Sequence, residues 1–243
     1  MRKAPHLSVR PPPVANRLLA ALPAKERARV IARCDPVELE FEQILVNPGE
    51  PMRHVYFPTT GFISLVTPMG GKDILEIALT GNEGMFGVSV ALGASISTVR
   101  GVVQGAGSSW RVGAASFRRE LAANPPLTRE VFRFINVRMA QLAQSAGCNR
   151  FHVVEQRLAR WLLMTADRAH SLSFHITHEF LAFMLGVRRV GITKAATALQ
   201  KAKLITYTRG ELSILDRAGL ERAACVCYQV DLDSYSKAMA GAA

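Results

Sequence analysis

The sequence predicts an α+β chain: an N-terminal β jelly roll (double-stranded β-helix), then one long helix, then a C-terminal winged helix-turn-helix. Three observations predict it. Residues 37–112 fall into short β-rich runs separated by turn residues, residues 127–147 carry apolar side chains at spacings of three and four, and residues 176–215 read as two helices joined at a glycine and followed by a hairpin.

The chain has 243 residues, 49% of them hydrophobic, which is enough for two ordinary domains with buried cores. Its formal net charge of +11 favours an anionic partner, either nucleic acid or an anionic membrane surface. No run of about twenty apolar residues occurs, and the start MRKAPHLSVRPPP lacks the apolar segment of a signal peptide. A cytoplasmic protein without a membrane partner is therefore expected.

Residues 1–15, proline-rich and basic, read as a disordered lead. From Asn16, Leu18, Leu19 and Leu22 precede Pro23, and Val30 and Ile31 follow it, so two short helices broken at Pro23 are expected. The runs VELEF, QILV, HVYFP, GFISLVTP, DILEIAL and VVQGAGSSWRV, with Pro48-Gly49, Gly70-Gly71 and Gly81-Asn82 between them, have the strand and turn rhythm of a sandwich or barrel. After Asn124-Pro125-Pro126, a helix over about 127–147 carries Phe132, Ile135, Met139, Leu142 and Ala146 on one stripe and Val131, Phe134 and Val137 on a second. One face can cover the barrel; the other needs a partner or further core. A hinge is expected between Gly147 and Phe151. The helix after it turns Val154, Leu158, Trp161, Leu162 and Thr165 inward and leaves Arg157, Arg160 and Arg168 to solvent.

In residues 176–205, Thr177 is an N-cap, Glu179 suits the positive end of the helix dipole, and Leu181, Met184 and Leu185 share a face before Gly186 makes the left-handed turn. The second helix points Val190, Ala195, Ala198 and Leu199 inward and offers Arg188, Arg189, Thr193 and Lys194 outward. Those are the groups a major-groove reader needs: donors for guanine O6 and N7, and cations for phosphates. The run LITYTRGELSIL then turns at Arg209-Gly210, a tight hairpin whose tip arginine can reach a flanking phosphate. Asp216 caps a last short helix, and the tail from Lys237 reads as loose.

These residues resemble the Crp/Fnr transcription regulators. Residues 176–205 align with that family's winged helix-turn-helix without a gap, with Gly186 at the turn glycine, and Asn47-Pro48-Gly49-Glu50, Tyr56-Phe57-Pro58 and Gly61-Phe62-Ile63 resemble early strands of its cyclic-nucleotide-binding-like domain. The resemblance implies a sensor domain over 16–147 that includes the connecting helix, a DNA-binding domain over 151–236, and a homodimer formed on the long helix. It also implies a palindromic site in double-stranded DNA and contact with RNA polymerase. The family's base-reading arginine falls on Arg189 and a second basic position on Lys194, with Thr177, Arg188, Thr193 and Arg209 as further contacts. Val190 stands where the family has an acidic residue and Arg188 where it has a serine, so a different target sequence is implied.

The family's phosphate cassette resembles Gly81–Gly87 here, with Glu83 near the position that holds a ribose hydroxyl and Gly84 beside it. The phosphate arginine falls on Ser97 and its hydroxyl neighbour on Thr98. The arginine is thus missing, and Arg100 is either a displaced cation or a surface residue. Cyclic AMP binding in the usual way is not expected.

Cys34, Cys148, Cys225 and Cys227 read as scattered structural thiols. Cys225-x-Cys227 lacks the spacing of a CxxC site, and only Cys34 lies near the N-terminus where some relatives carry an iron–sulfur cluster, so neither a cluster nor a metal is expected. A cupin-like metalloenzyme would need converging histidines, and the β region has only His54; no nucleophile elbow or P-loop occurs, so no catalytic residues are expected. The alternative to a DNA-binding regulator is a ligand-binding sensor that acts through protein contacts.

Overall fold

Asn16 opens the structured chain by capping α1 (Arg17–Ala20): its side-chain oxygen accepts from the Leu19 amide, and its amide donates to the carbonyls of Pro58 and Gly84. This computed structural model describes residues 16–70 and 73–240; residues 1–15, expected as a disordered lead, and residues 71–72 and 241–243 lie outside it. Pro23 separates α1 from α2 (Ala24–Ile31), as expected from its missing N–H.

The β region forms β1 (Asp35–Leu39), β2 (Ile44–Val46), β3 (His54–Pro58), β4 (Phe62–Gly70), β5 (Asp73–Thr80), then the short α3 (Val88–Ala91), β6 (Arg100–Gly105) and β7 (Gly107–Gly113). The strands pair antiparallel into two sheets, ordered β1-β7-β3 and β2-β6-β4-β5. Val55 and Phe57 from one sheet and Ile63 and Val103 from the other share one core with Phe86 and with Phe117 of α4 (Ala114–Ala123).

Asn124 caps α5 (Pro125–Phe151), accepting from the Leu127 amide, and Pro125 occupies the first turn, where its missing N–H costs nothing. Val131, Phe134, Ile135 and Val137 pack into the β-sheet core. A Cβ on Gly84 would lie 2.0 Å from the Phe134 ring, so only glycine lets α5 approach there. The buried Arg138 stitches α5 to β5 through the Leu79 carbonyl and the Thr80 hydroxyl, each at 2.9 Å, and burial pushes its pKa down to about 10. Phe132, Met139 and Leu142, from the other stripe, are exposed.

The hinge expected at 147–151 is helical. Gly147 has open space around it, and its helix cost of about 1 kcal/mol is small against a 27-residue element. The helix breaks instead at His152–Val153, before α6 (Val154–Ala169). The arginines of α6 also differ from expectation, because their neighbours come from elements remote in sequence. Arg157 and Arg160 are buried, Arg157 donating to the Leu185 carbonyl and Arg160 pairing with Asp231 at 2.5 Å. Arg168 pairs with Glu83 of the β domain at 2.9 Å.

Beyond α6 come β8 (Ser173–His175), α7 (His178–Leu185), α8 (Arg189–Lys201), β9 (Ile205–Thr208), β10 (Glu211–Ile214), α9 (Arg217–Ala223) and α10 (Cys227–Met239). The wing is a three-stranded sheet, β8-β10-β9, and its third strand is too short to read from the sequence. Asp216 caps α9 as expected. The tail expected to be loose from Lys237 is helical as far as Met239: α10 packs along α5, and the Tyr235 hydroxyl donates to the Glu83 carbonyl at 2.7 Å. Among the described residues no helix is long and apolar enough to cross a membrane.

Candidate nucleic-acid interface

Thr177 accepts from the Phe180 amide at 3.1 Å, which engages its oxygen as an acceptor and leaves its O–H free to donate. Gly186 closes α7 at φ +61°, with its N–H bonded to the Phe183 carbonyl. Arg188 then takes the N-cap position of α8, and Ile192, Ala195, Ala196 and Leu199 turn inward. Val190 does not: it is 59% exposed. At about 3.6 residues per turn, the buried set centres on Ile192 and Leu199, which puts Val190 on the outward face with Thr193, Lys194 and Thr197. Sequence reasoning misplaced it because apolar character was taken for burial.

Thr193 is oriented from two sides. Its hydroxyl donates to the Arg189 carbonyl at 3.1 Å and meets His178 Nδ1 at 3.1 Å. His178 in turn stacks on Tyr207 of the wing, ring centroids 4.4 Å apart and 16° from parallel, while the Tyr207 hydroxyl donates to the Ile176 carbonyl. Burial, and then the nearby Arg189, hold the His178 pKa below its usual range. A neutral ring can donate one N–H to Thr193, and this aromatic pair, unseen in the sequence, ties α7, α8 and the wing together.

Arg209 and Gly210 form the two-residue connection of the hairpin, both at positive φ (53° and 89°), the backbone of a tight primed turn. Arg188, Arg189, Lys194 and Arg209 are exposed, and none has an ion pair or side-chain hydrogen bond among the described residues. The start of α8 also borders the β domain: Arg188 and Arg189 line a groove with Met69, Ile74 and Leu75.

The four effector candidates have different surroundings. Glu83 and Gly84 are buried against α5 and α6, and Glu83 is neutralised by Arg168 and accepts from the Gly81 amide. Thr98 and Arg100 are exposed near the start of β6, where Arg100 donates to Asn47 at 3.0 Å. Ser97, at the position of the missing arginine, is buried and donates to the Val99 carbonyl.

Two groups link the β domain to α6 and α7. Glu76 of β5 accepts from Trp161 Nε1 at 2.7 Å and bonds Ser64 at 2.6 Å, and Gln104 of β6 donates to Met184 Sδ at 3.1 Å. Glu76 is half-buried as a residue, but its carboxyl end is enclosed, and desolvation pushes its pKa up to about 7.

Three of the four cysteines are not scattered, while Cys34 lies apart against the β-domain core. Cys148, Cys225 and Cys227 form a buried cluster with His152 beside them, because the return of α10 along α5 brings residues distant in the chain to the end of α5.

Residues 156–223 match the model of the Crp-like helix-turn-helix domain. Among curated proteins, none matches the chain. Several solved structures share its fold. A protein from Eubacterium rectale assigned to the crp/fnr family of transcriptional regulators is 17% identical, with 85% of this chain and 96% of that one covered at a TM-score of 0.68. FixK2 from Bradyrhizobium japonicum is 13% identical, with 79% and 98% covered at 0.67. The c-di-GMP responsive global regulator CLP of Xanthomonas campestris is 14% identical, with 79% and 99% covered at 0.66. The chain is thus built on the fold of the Crp/Fnr transcription regulators, with a Crp-like helix-turn-helix domain over residues 156–223.

Proposed function

We propose that this chain is a sequence-specific DNA-binding transcription regulator that acts as a homodimer on a palindromic site. The observation that carries the reading is the set of four exposed cations, Arg188, Arg189, Lys194 and Arg209, without an ion pair among the described residues, on a helix-turn-helix and its wing. In this reading Arg189 and Lys194 read base edges, Arg188, Arg209 and the free O–H of Thr177 meet phosphates, and Thr193 sits between them. Val190 offers a methyl surface to a thymine in place of a charge. The exposed stripe Phe132, Met139 and Leu142 on α5 is an apolar face for a second copy, which would set two recognition helices about one DNA turn apart. Residues 16–147 serve as the sensor domain and 151–236 as the DNA-binding domain, in a cytoplasmic protein that also meets RNA polymerase.

The sensor does not take cyclic AMP in the usual way: Ser97 has no charge to offer a phosphate, and Arg100 is committed to Asn47. A signal can instead act where β4 and β5 border α7 and the start of α8, by shifting the placement of the recognition helices.

The deciding experiment selects genomic DNA fragments on the purified protein, without and with cell extract, at two salt concentrations. A two-fold symmetric motif with thymine enriched opposite Val190, retained less at higher salt, is the expected result, together with a dimer mass by sedimentation. Recovery of no motif under either condition, or binding indifferent to salt, would sink the reading in favour of a sensor acting through protein contacts.

A further inference from the structure

Cys148 and His152 stand four residues apart, so the end of α5 presents both on one side, one turn from each other. Cys225 and Cys227 flank the start of α10. The three sulfurs and a ring nitrogen of His152 all lie within 4.8 Å of one another. Cys148 Sγ is 3.5 Å from Cys225 Sγ, and Cys227 Sγ is 3.4 Å from His152 Nδ1. A disulfide needs about 2.05 Å, so these thiols are not bonded to each other. Tetrahedral zinc, with Zn–S near 2.3 Å and Zn–N near 2.0 Å, sets neighbouring donor atoms about 3.6 to 3.8 Å apart, close to the spacing found.

We propose that Cys148, His152, Cys225 and Cys227 form a closed Cys3His site for one zinc ion, which clasps the end of α5 to the start of α10. Three thiolates and an imidazole, with no carboxylate among them, select zinc over magnesium, calcium or manganese. With all four positions filled by protein, none is open for a substrate, so the site is structural. An iron–sulfur cluster spreads its cysteines over several irons, whereas these four donors surround one point. The three cysteines also stand apart from both hydrophobic cores, as a cluster of their own.

The surroundings match the charge of a loaded site. Zinc with three thiolates and a neutral histidine carries one net negative charge, the thiol protons having left to solvent. Arg157, buried beside Cys148 and Cys225, has no carboxylate partner among the described residues and supplies one positive charge. Arg160 lies beside Cys148 but is already matched by Asp231. Gln144 Nε2 donates to Cys227 Sγ at 3.0 Å, the outer hydrogen bond that orients a ligand sulfur. This site is independent of whether the chain reads DNA.

The test purifies the whole chain without chelator and measures zinc against protein by elemental mass spectrometry. One zinc per chain is expected, lost in Cys225→Ser and Cys227→Ser and kept in Cys34→Ser, and Gln144→Leu should weaken zinc affinity about tenfold. Cobalt(II) in place of zinc should give sulfur-to-metal charge-transfer bands and the strong visible bands of a tetrahedral ion. Alkylation of the parent chain removes any dependence on whether the variants fold: zinc should shield Cys148, Cys225 and Cys227 and chelator should make them reactive, while Cys34, half-buried with its thiol pKa pushed up by burial, reacts slowly in both. A parent chain that takes up no zinc after reduction, with alkylation indifferent to zinc and chelator, would overturn the proposal in favour of plain thiol packing. So would a chain isolated with iron and sulfide on these cysteines.

Discussion

The arginines of α6 and the cations of α8 and the wing have the same chemistry and opposite fates. Arg157, Arg160 and Arg168 are turned into the protein and each is committed: to the Leu185 carbonyl, to Asp231 and to Glu83. Arg188, Arg189, Lys194 and Arg209 face outward with no partner among the described residues. A buried arginine must find acceptors within the fold, while cations left exposed and unpaired remain available to an external anion. The difference separates arginines that hold the domains in place from cations left free on the surface, and net charge alone does not show it.

Breaking the buried set should cost most. Arg160→Ala leaves Asp231 buried without its cation and should lower the unfolding free energy by about 3 to 5 kcal/mol in urea titrations. A loss under about 1 kcal/mol would mean that the pair is solvated after all. The next effect follows pH at the join between β5 and α6. With its pKa raised from 4.5 to about 7, Glu76 stays protonated in the folded chain over a window in which the unfolded chain has lost that proton. Stability from this group is therefore fully present below about pH 4.5 and declines by about 3 kcal/mol as pH rises through 7. Glu76→Gln keeps an acceptor for Trp161 and a hydrogen-bonding partner for Ser64 without a titrating group, and thermal melts at pH 5 and pH 8 should show the slope flattened; an unchanged slope would assign the dependence to another group.

The open set should respond in the reverse way, with stability untouched and binding weakened. Arg189→Ala should lose about 1 to 3 kcal/mol on the selected site and relax its preference at one base pair, with a melting curve like the parent's. Equal affinity for the original and base-substituted sites in the parent would refute base reading by this residue. Smallest is Arg209→Ala, which should weaken all DNA sequences alike and lower the slope of log K against log salt by about 1. A sequence-dependent loss there would place Arg209 in a groove and not on the backbone.

Much of the fold was legible because it depends on neighbours in sequence. The break at Pro23, the Thr177 and Asp216 caps, the Gly186 turn and the Arg209-Gly210 hairpin are local conformational preferences, and the chain adopts each of them. Where side-chain fate depends on remote elements, the same reading failed. Val190 reads as apolar and inward, yet α8 packs by Ile192, Ala196 and Leu199 and turns it out. In α10, Tyr228, Asp231 and Tyr235 do recur at helical spacing, but the buried carboxylate between the tyrosines hides the pattern until Arg160 is found beside it. The expected break near Gly147 rested on glycine's weak helix propensity, which a long helix capped at Asn124 and packed along its length outweighs.

The sequence by itself determined the order of the β region, the long helix and the helix-turn-helix with its hairpin, the main turn and cap positions, and the basic character of the second helix. These follow from backbone preferences and from hydrophobic spacing within one element. Only the tertiary structure decided which arginines are buried, that Glu83 pairs with Arg168, and that two cysteines after α9 meet Cys148 and His152 at the end of α5. Those outcomes depend on which remote surfaces the helices press together, because a charge or a thiol takes its role from the groups placed beside it.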